Sequence, residues 1–184
     1  MLIAGADPGA EGAIAFVDTE SMRLLAIVGM PMAGAELLVR DLVLDLAQTL
    51  DVRRVGHIFI ERQAPFVADK TARIGATTAF NLGQRYMALK AIAACHGWPM
   101  EIVGAPKWKA YFGIKADKAL ALDAAGKLMP EDAGLWQVRR GYCTKAQAIG
   151  RAESALLALY GVRQLAGIGQ RTPMPGLFAA ALDR

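Results

Sequence analysis

Cysteine and histidine are scarce in this 184-residue sequence, at two of each. Cys95 and His96 are neighbours, but Cys143 and His57 lie far away in sequence, so no zinc-binding spacing exists. No apolar run approaches the roughly 18 residues of a membrane span. The opening residues, Met1 to Asp7, have no basic stretch ahead of an apolar one, and they read as a strand rather than an export signal. The cysteines are then expected to be reduced thiols of a cytoplasmic protein. The 19 glycines and 8 prolines are dispersed, so there is no low-complexity segment, and no internal repeat is present. With 54% hydrophobic and 21% charged residues the chain is globular, and its length suits one domain.

The net charge of +4 hides an asymmetry. Residues 1–51 hold two basic and eight acidic residues, a net of −6. Residues 52–184 hold 19 basic and nine acidic residues, a net of +10. Such a split suits a polyanion partner for the second part, or simply two differently charged solvated faces.

Periodicity predicts an antiparallel start: strands near residues 2–6, 12–17 and 23–28, joined by short turns such as Asp7-Pro8-Gly9. Leu38, Leu42, Leu46 and Leu50 recur every fourth residue and predict an amphipathic helix over 35–50. Val55 to Ile60 reads as a buried strand ending at Glu61. A polar segment, Arg62 to Ile74, leads to a long helix over 76–96, with Gly97 at its stop. A strand over 100–103, a Pro-led turn at Pro106-Lys107-Trp108-Lys109, and helices over 116–129 and 146–160 complete the pattern. Gly161 is read as the end of the last helix, and 163–184 as a peripheral Gly/Pro-containing tail beyond a domain of residues 1–162. The order βββ, then alternating α and β, predicts an α/β fold with a mixed sheet and helices on both faces.

Three acids stand out. Asp7 ends the first strand, Glu61 ends the strand over 55–60, and Glu153 lies in the last helix among Ala152, Ala155, Leu156 and Leu157. If those two strands are parallel neighbours, Asp7 and Glu61 share one end of the sheet, and the helix can add Glu153. Clustered carboxylates stay ionised together on a hard cation such as Mg²⁺ or Mn²⁺, and paired ions serve phosphodiester hydrolysis. Solvated strand-end acids or surface ion pairs would give the same pattern.

Five motifs occur in order: Ala6-Asp7-Pro8-Gly9, Ile60-Glu61-Arg62-Gln63, Phe80-Asn81-Leu82-Gly83-Gln84, Pro106-Lys107-Trp108-Lys109 and Gly150-Arg151-Ala152-Glu153. Together, over about residues 2–161, they resemble the RuvC Holliday-junction resolvase family, its phage and prophage branch in particular, within the RNase H-like superfamily. The resemblance implies an RNase H-like mixed five-stranded sheet whose first three strands are antiparallel. It implies a homodimeric, metal-dependent endonuclease that binds four-way DNA junctions and resolves them by paired nicks. Its metal acids fall on Asp7, Glu61 and Glu153, and its active-site lysines on Lys109 and Lys118. Its junction-stacking aromatic falls on Phe66. The pattern departs at one place: the family carries a further acid about one turn before the last, and here Ile149 and Gly150 stand there, with no acid anywhere in 145–152. Glu131 or Asp132 is the candidate substitute. A resolvase-like protein that binds junctions without cutting them efficiently is therefore the alternative. An actin-like sugar kinase is disfavoured, because the chain is short for two lobes and has no second Gly-rich phosphate loop.

Basic residues cluster in three regions: Arg62, Lys70, Arg73, Arg85 and Lys90; Lys107, Lys109, Lys115 and Lys118; and Arg139, Arg140, Lys145 and Arg151. Arg62, Lys70, Arg73, Lys107, Lys115, Arg139, Arg140 and Arg151, with Phe66, are the expected DNA contacts, mainly to phosphate. Trp108 is expected to anchor its turn in the core while its lysines face DNA. Trp136 either stacks on a base or a partner chain, or caps an apolar patch. The small residues of the long helix permit close packing on its own sheet or across a dimer.

Overall fold

The computed structural model describes residues 1–63, 75–114, 119–138 and 143–167. Lys118, Phe66, Lys70, Arg73, Lys115, Arg139 and Arg140 lie outside the described residues, as does the chain from 168 onward.

Among the described residues, the main sheet has five strands: β1 (Leu2–Ala6), β2 (Ala13–Asp18), β3 (Leu24–Gly29), β6 (Val55–Glu61) and β7 (Met100–Val103). Their spatial order is β3-β2-β1-β6-β7. The β1–β2 and β2–β3 pairs are antiparallel, and β1–β6 and β6–β7 are parallel. This is the mixed sheet with an antiparallel first half that the sequence predicts.

The period of two along β1 divides the core. Leu2, Ala4 and Ala6 face one side, where they meet Leu42 and Leu46 of α1 (Val39–Thr49) and Leu89, Ile92 and Ala93 of α2 (Ala76–Cys95). Ile3 faces the other side, with Phe59. That side is covered by α3 (Ala105–Tyr111), α4 (Ala119–Leu128) and α5 (Lys145–Leu165). Helices thus cover both faces, and sheet burial of this kind is the main source of stability.

Helix α5 is the central cover. A capping box starts it: Thr144 accepts from the Gln147 amide and the Gln147 side chain accepts from the Thr144 amide. It crosses β1 so closely that a Cβ on Gly5 would overlap the backbone of Ala158 and Ser154. The Ser154 hydroxyl fixes the helix further, 2.8 Å from the carbonyl of Ala13.

Three elements differ from expectation. The helix expected over 35–50 begins only at Val39, because a two-stranded hairpin, β4 (Met32–Ala33) and β5 (Glu36–Leu37), precedes it. Gly34 turns that hairpin with a positive φ of 61°, a backbone open to glycine at little cost. Helix α5 runs through Gly161 to Leu165, so residues 163–165 belong to the helix and not to a tail. Ahead of Trp136, which is read either as a stacking residue or as the cap of an apolar patch, lies a 3-10 segment, Pro130–Leu135, and Trp136 itself is only 3% exposed, within the α4–α5 core. Trp136 is therefore a core residue and not a stacking platform.

Candidate active site

Pairing of Ala6 with Ile60 at the ends of β1 and β6 sets Asp7 and Glu61 side by side at one end of the sheet. The condition posed by the sequence is met, since the two strands are parallel neighbours. Asp7 is held by its own turn: Oδ1 accepts from the Gly9 amide at 2.9 Å, and the Asp7 amide donates to the Ala13 carbonyl at 3.0 Å. Glu61 is mostly buried, and its Oε2 accepts from the Trp108 indole at 2.9 Å. Trp108 is fully buried on α3, so it anchors the turn as expected and also orients a carboxylate.

Glu153 reaches the same end from α5, itself buried. Its Oε1 receives Lys109 Nζ at 2.6 Å. Both groups are largely shielded from water, so this ion pair is stronger than a surface one. Lys109 therefore turns inward to Glu153 rather than facing outward beside Lys107. Burial, then the charge of Asp7, push the Glu61 carboxyl up to about 7, with Glu153 adding to the rise. The Trp108 hydrogen bond and the Lys109 ammonium act in the opposite direction. Three carboxylates in mutual repulsion are a hard-oxygen donor set of the kind Mg²⁺ or Mn²⁺ takes. In kind, the residues fit such an ion. As arranged, among the described residues no three His, Cys, Asp or Glu side chains stand within reach of a common ion, and the Lys109 ammonium supplies positive charge at Glu153.

A cleft of about 240 Å³ opens beside Asp7 and Glu153, lined also by Glu11, Ile149 and Gly150. It explains part of the departure noted at positions 149 and 150. Gly150 packs on the β1–β2 turn so tightly that a Cβ there would overlap the Glu11 carbonyl. No acidic side chain fits at 150, whereas Ile149 faces the cleft. The candidate substitutes fail. Asp132 is buried and accepts from Arg23 Nε at 2.8 Å and from the Leu24 amide at 3.0 Å, while Glu131 pairs with Arg23. Both acids are used to hold the 3-10 segment to β3.

The expected DNA contacts within the described residues divide. Arg62 is exposed just beyond Glu61, and Lys107 is exposed with Glu101 at 3.8 Å. Arg151 instead points inward enough to donate to the Leu135 carbonyl at 3.3 Å. Arg85, a member of the first basic cluster, is only 7% exposed and donates to the Pro8 and Ala35 carbonyls. Its place on the Arg85, Leu89, Ile92, Ala93 stripe was the available signal, since the same spacing marks the buried face of a helix.

No protein-family model matches the sequence, and no curated protein matches it significantly. Solved structures resemble it over most of its length. RuvC of Thermus thermophilus in complex with a Holliday junction substrate matches with a TM-score of 0.59 at 19% identity, covering 91% of this chain and 97% of that one. Another structure of Thermus thermophilus RuvC matches with a TM-score of 0.60 at 19% identity and the same coverage. The yeast mitochondrial Holliday junction resolvase matches with a TM-score of 0.56 at 18% identity, covering 89% of this chain and 78% of that one. With its five-stranded mixed sheet crossed by α5, the chain has a fold similar to that of these resolvases over about nine-tenths of its length.

Proposed function

We propose that this protein is a metal-dependent, structure-selective endodeoxyribonuclease that binds four-way DNA junctions and resolves them by paired nicks. The observation that carries the reading is the parallel pairing of β1 with β6 in a RuvC-like sheet, which sets Asp7 beside Glu61, with Glu153 lining the same cleft as Asp7 and with Glu61 raised to about 7 by burial and by Asp7. Asp7, Glu61 and Glu153 would hold Mg²⁺ or Mn²⁺, which when bound supplies an activated water and neutralises phosphate charge. The chain's own residues do the rest. Trp108 orients Glu61, the Gly9 amide orients Asp7, and Lys109 holds the Glu153 carboxylate in place and offers a cation for phosphate. Lys118 is assigned the second active-site lysine and Phe66 the junction-stacking aromatic on the motif resemblance alone. Arg62, Lys70, Arg73, Lys107, Lys115, Arg139 and Arg140 would contact phosphate, which makes affinity fall steeply with salt.

A homodimer belongs to this reading. The outer face of α2 presents Phe80 and Met87, 65% and 56% exposed, with Ala76, Gly83 and Ala91 in the same stripe. Two such faces can approach closely. Free Cys95 and Cys143 suit a cytoplasmic setting. Among the described residues no helix is long and apolar enough to cross a membrane.

A second reading, a junction-binding protein with impaired chemistry, is favoured by the crowding at Gly150, which excludes an acid at that position, and by an isoleucine at the cleft-facing position 149. The test is cleavage of a labelled four-way junction, with linear duplex as control, in Mg²⁺ and in Mn²⁺, for the parent and Asp7→Asn. Symmetric nicks that vanish in Asp7→Asn support the nuclease. Tight binding without nicks in either metal selects the second reading, and absence of junction binding at low salt defeats both.

A further inference from the structure

Arg85 lies on the inner stripe of α2 with Leu89, Ile92 and Ala93, where an aliphatic side chain would be expected. Among the described residues no carboxylate is within ion-pair distance of it. Its Nε donates to the Pro8 carbonyl at 3.0 Å, and a terminal nitrogen donates to the Ala35 carbonyl at 3.2 Å. A buried guanidinium without a carboxylate is costly, so stability alone would favour an apolar residue at this position. What the guanidinium adds is direction: a rigid fork that joins three separate segments. These are α2, the β4–β5 turn, and the turn between β1 and β2.

The last of these carries Asp7. Pro8 follows Asp7 directly, the Gly9 amide holds the Asp7 carboxylate, and the Gly12 amide closes the turn on the Gly9 carbonyl at 3.0 Å. Proline has no N–H to anchor itself, so the Pro8 carbonyl is the handle by which this part of the turn can be gripped. We propose that Arg85 is a positioning residue for the Asp7 carboxylate: it pins the Asp7–Gly12 turn and makes α2 the element through which a contact on that helix's exposed face reaches the active centre. This rests on the nuclease reading above. A misplacement of about 1 Å at a reacting centre costs roughly 100-fold in rate, so a loosened turn lowers turnover while leaving the DNA-binding surface intact.

The test compares the parent with Arg85→Gln and Arg85→Lys, each first shown to unfold cooperatively. Amide hydrogen exchange of Gly9 and Gly12, without DNA or metal, is expected to quicken about tenfold in Arg85→Gln, while amides in the middle of α5 stay unchanged. In the junction assay, the rate at saturating junction falls about 30-fold or more in Arg85→Gln, with junction affinity within about threefold. Arg85→Lys, which can reach one carbonyl but not both, recovers part of that loss. Unchanged Gly9 and Gly12 exchange overturns the proposal, as does an equal loss of affinity and rate. If the parent itself cuts nothing, the nuclease reading fails. The exchange measurement then still decides whether Arg85 holds the Asp7 turn.

Discussion

Replacing Glu61 by Gln probes the electrostatics of the centre before any DNA or metal is added. Burial first, and the Asp7 charge second, raise the Glu61 carboxyl from 4.5 to about 7. Between these values the folded protein keeps a proton that the unfolded chain has released, so stability falls as pH rises. The contribution is fully present below pH 4.5 and is gone above about pH 7. At 1.36 kcal/mol per unit, that window is worth about 3 kcal/mol. Gln keeps an oxygen for the Trp108 indole and has no proton to lose. Urea unfolding in EDTA, from about pH 4.5 to about pH 8, should show Glu61→Gln gaining about 3 kcal/mol on the parent across the range. His57, whose pKa burial lowers from 6.5, contributes a slope of opposite sign in the same region. It is common to both proteins and cancels in the difference. A difference that stays flat with pH would refute the reasoning, because it would mean that Glu61 is ionised in the folded protein throughout.

Other substitutions have defined outcomes. Gly150→Ala drives a methyl into the Glu11 carbonyl and should cost about 2 kcal/mol or more, whereas Ile149→Asp, facing the cleft, should fold; thermal melts compare them. If Ile149→Asp also raises junction cleavage sharply, the absent acid was limiting. Asp132→Ala strands the Leu24 amide and part of Arg23, and should cost about 2–4 kcal/mol in urea unfolding. Arg23→Ala should cost less, since Arg23 is half exposed. Lys109→Met leaves Glu153 buried without its cation. The melting temperature should fall in EDTA and recover in Mn²⁺ by more than the parent gains, and an equal Mn²⁺ gain in both proteins would count against a metal at Glu153.

The strands of the main sheet were legible because each is a short apolar run with a turn at its end, and α2 and α5 because their lengths exceed any strand. The neighbouring of Asp7 and Glu61 was legible for a related reason: each directly follows a buried run, and only the parallel pairing had to be supplied. Other features depend on contacts far apart in the chain. The β4–β5 hairpin has two residues per strand, too few to show a period. Gly161 looked like a helix stop, but its missing side chain makes room for Phe59 and Ile3 beneath α5. Asp132 is a candidate metal acid by sequence, yet Arg23, 109 positions away, makes it a structural one. Lys109 has its active-site assignment from the motif resemblance, but its partner is not readable from the motif, because α5 brings Glu153 to it from 44 positions away.

The crossing of α5 over β1 also governs when the protein can fold during its own synthesis. Strand β1 leaves the ribosome well before α5, so Ile3 and Phe59 stay uncovered until the residues of that helix have emerged. At about 5–20 residues per second, the stretch from the end of β6 to the end of α5 takes roughly 5–20 seconds to synthesise, and the half-covered sheet exists for that time before its closing element arrives. During that interval the nascent chain offers one apolar sheet face, a natural ligand for a chaperone that recognises extended hydrophobic segments. Slower translation over 105–165 would lengthen the exposure, and a chain cut short before Lys145 would remain in that state.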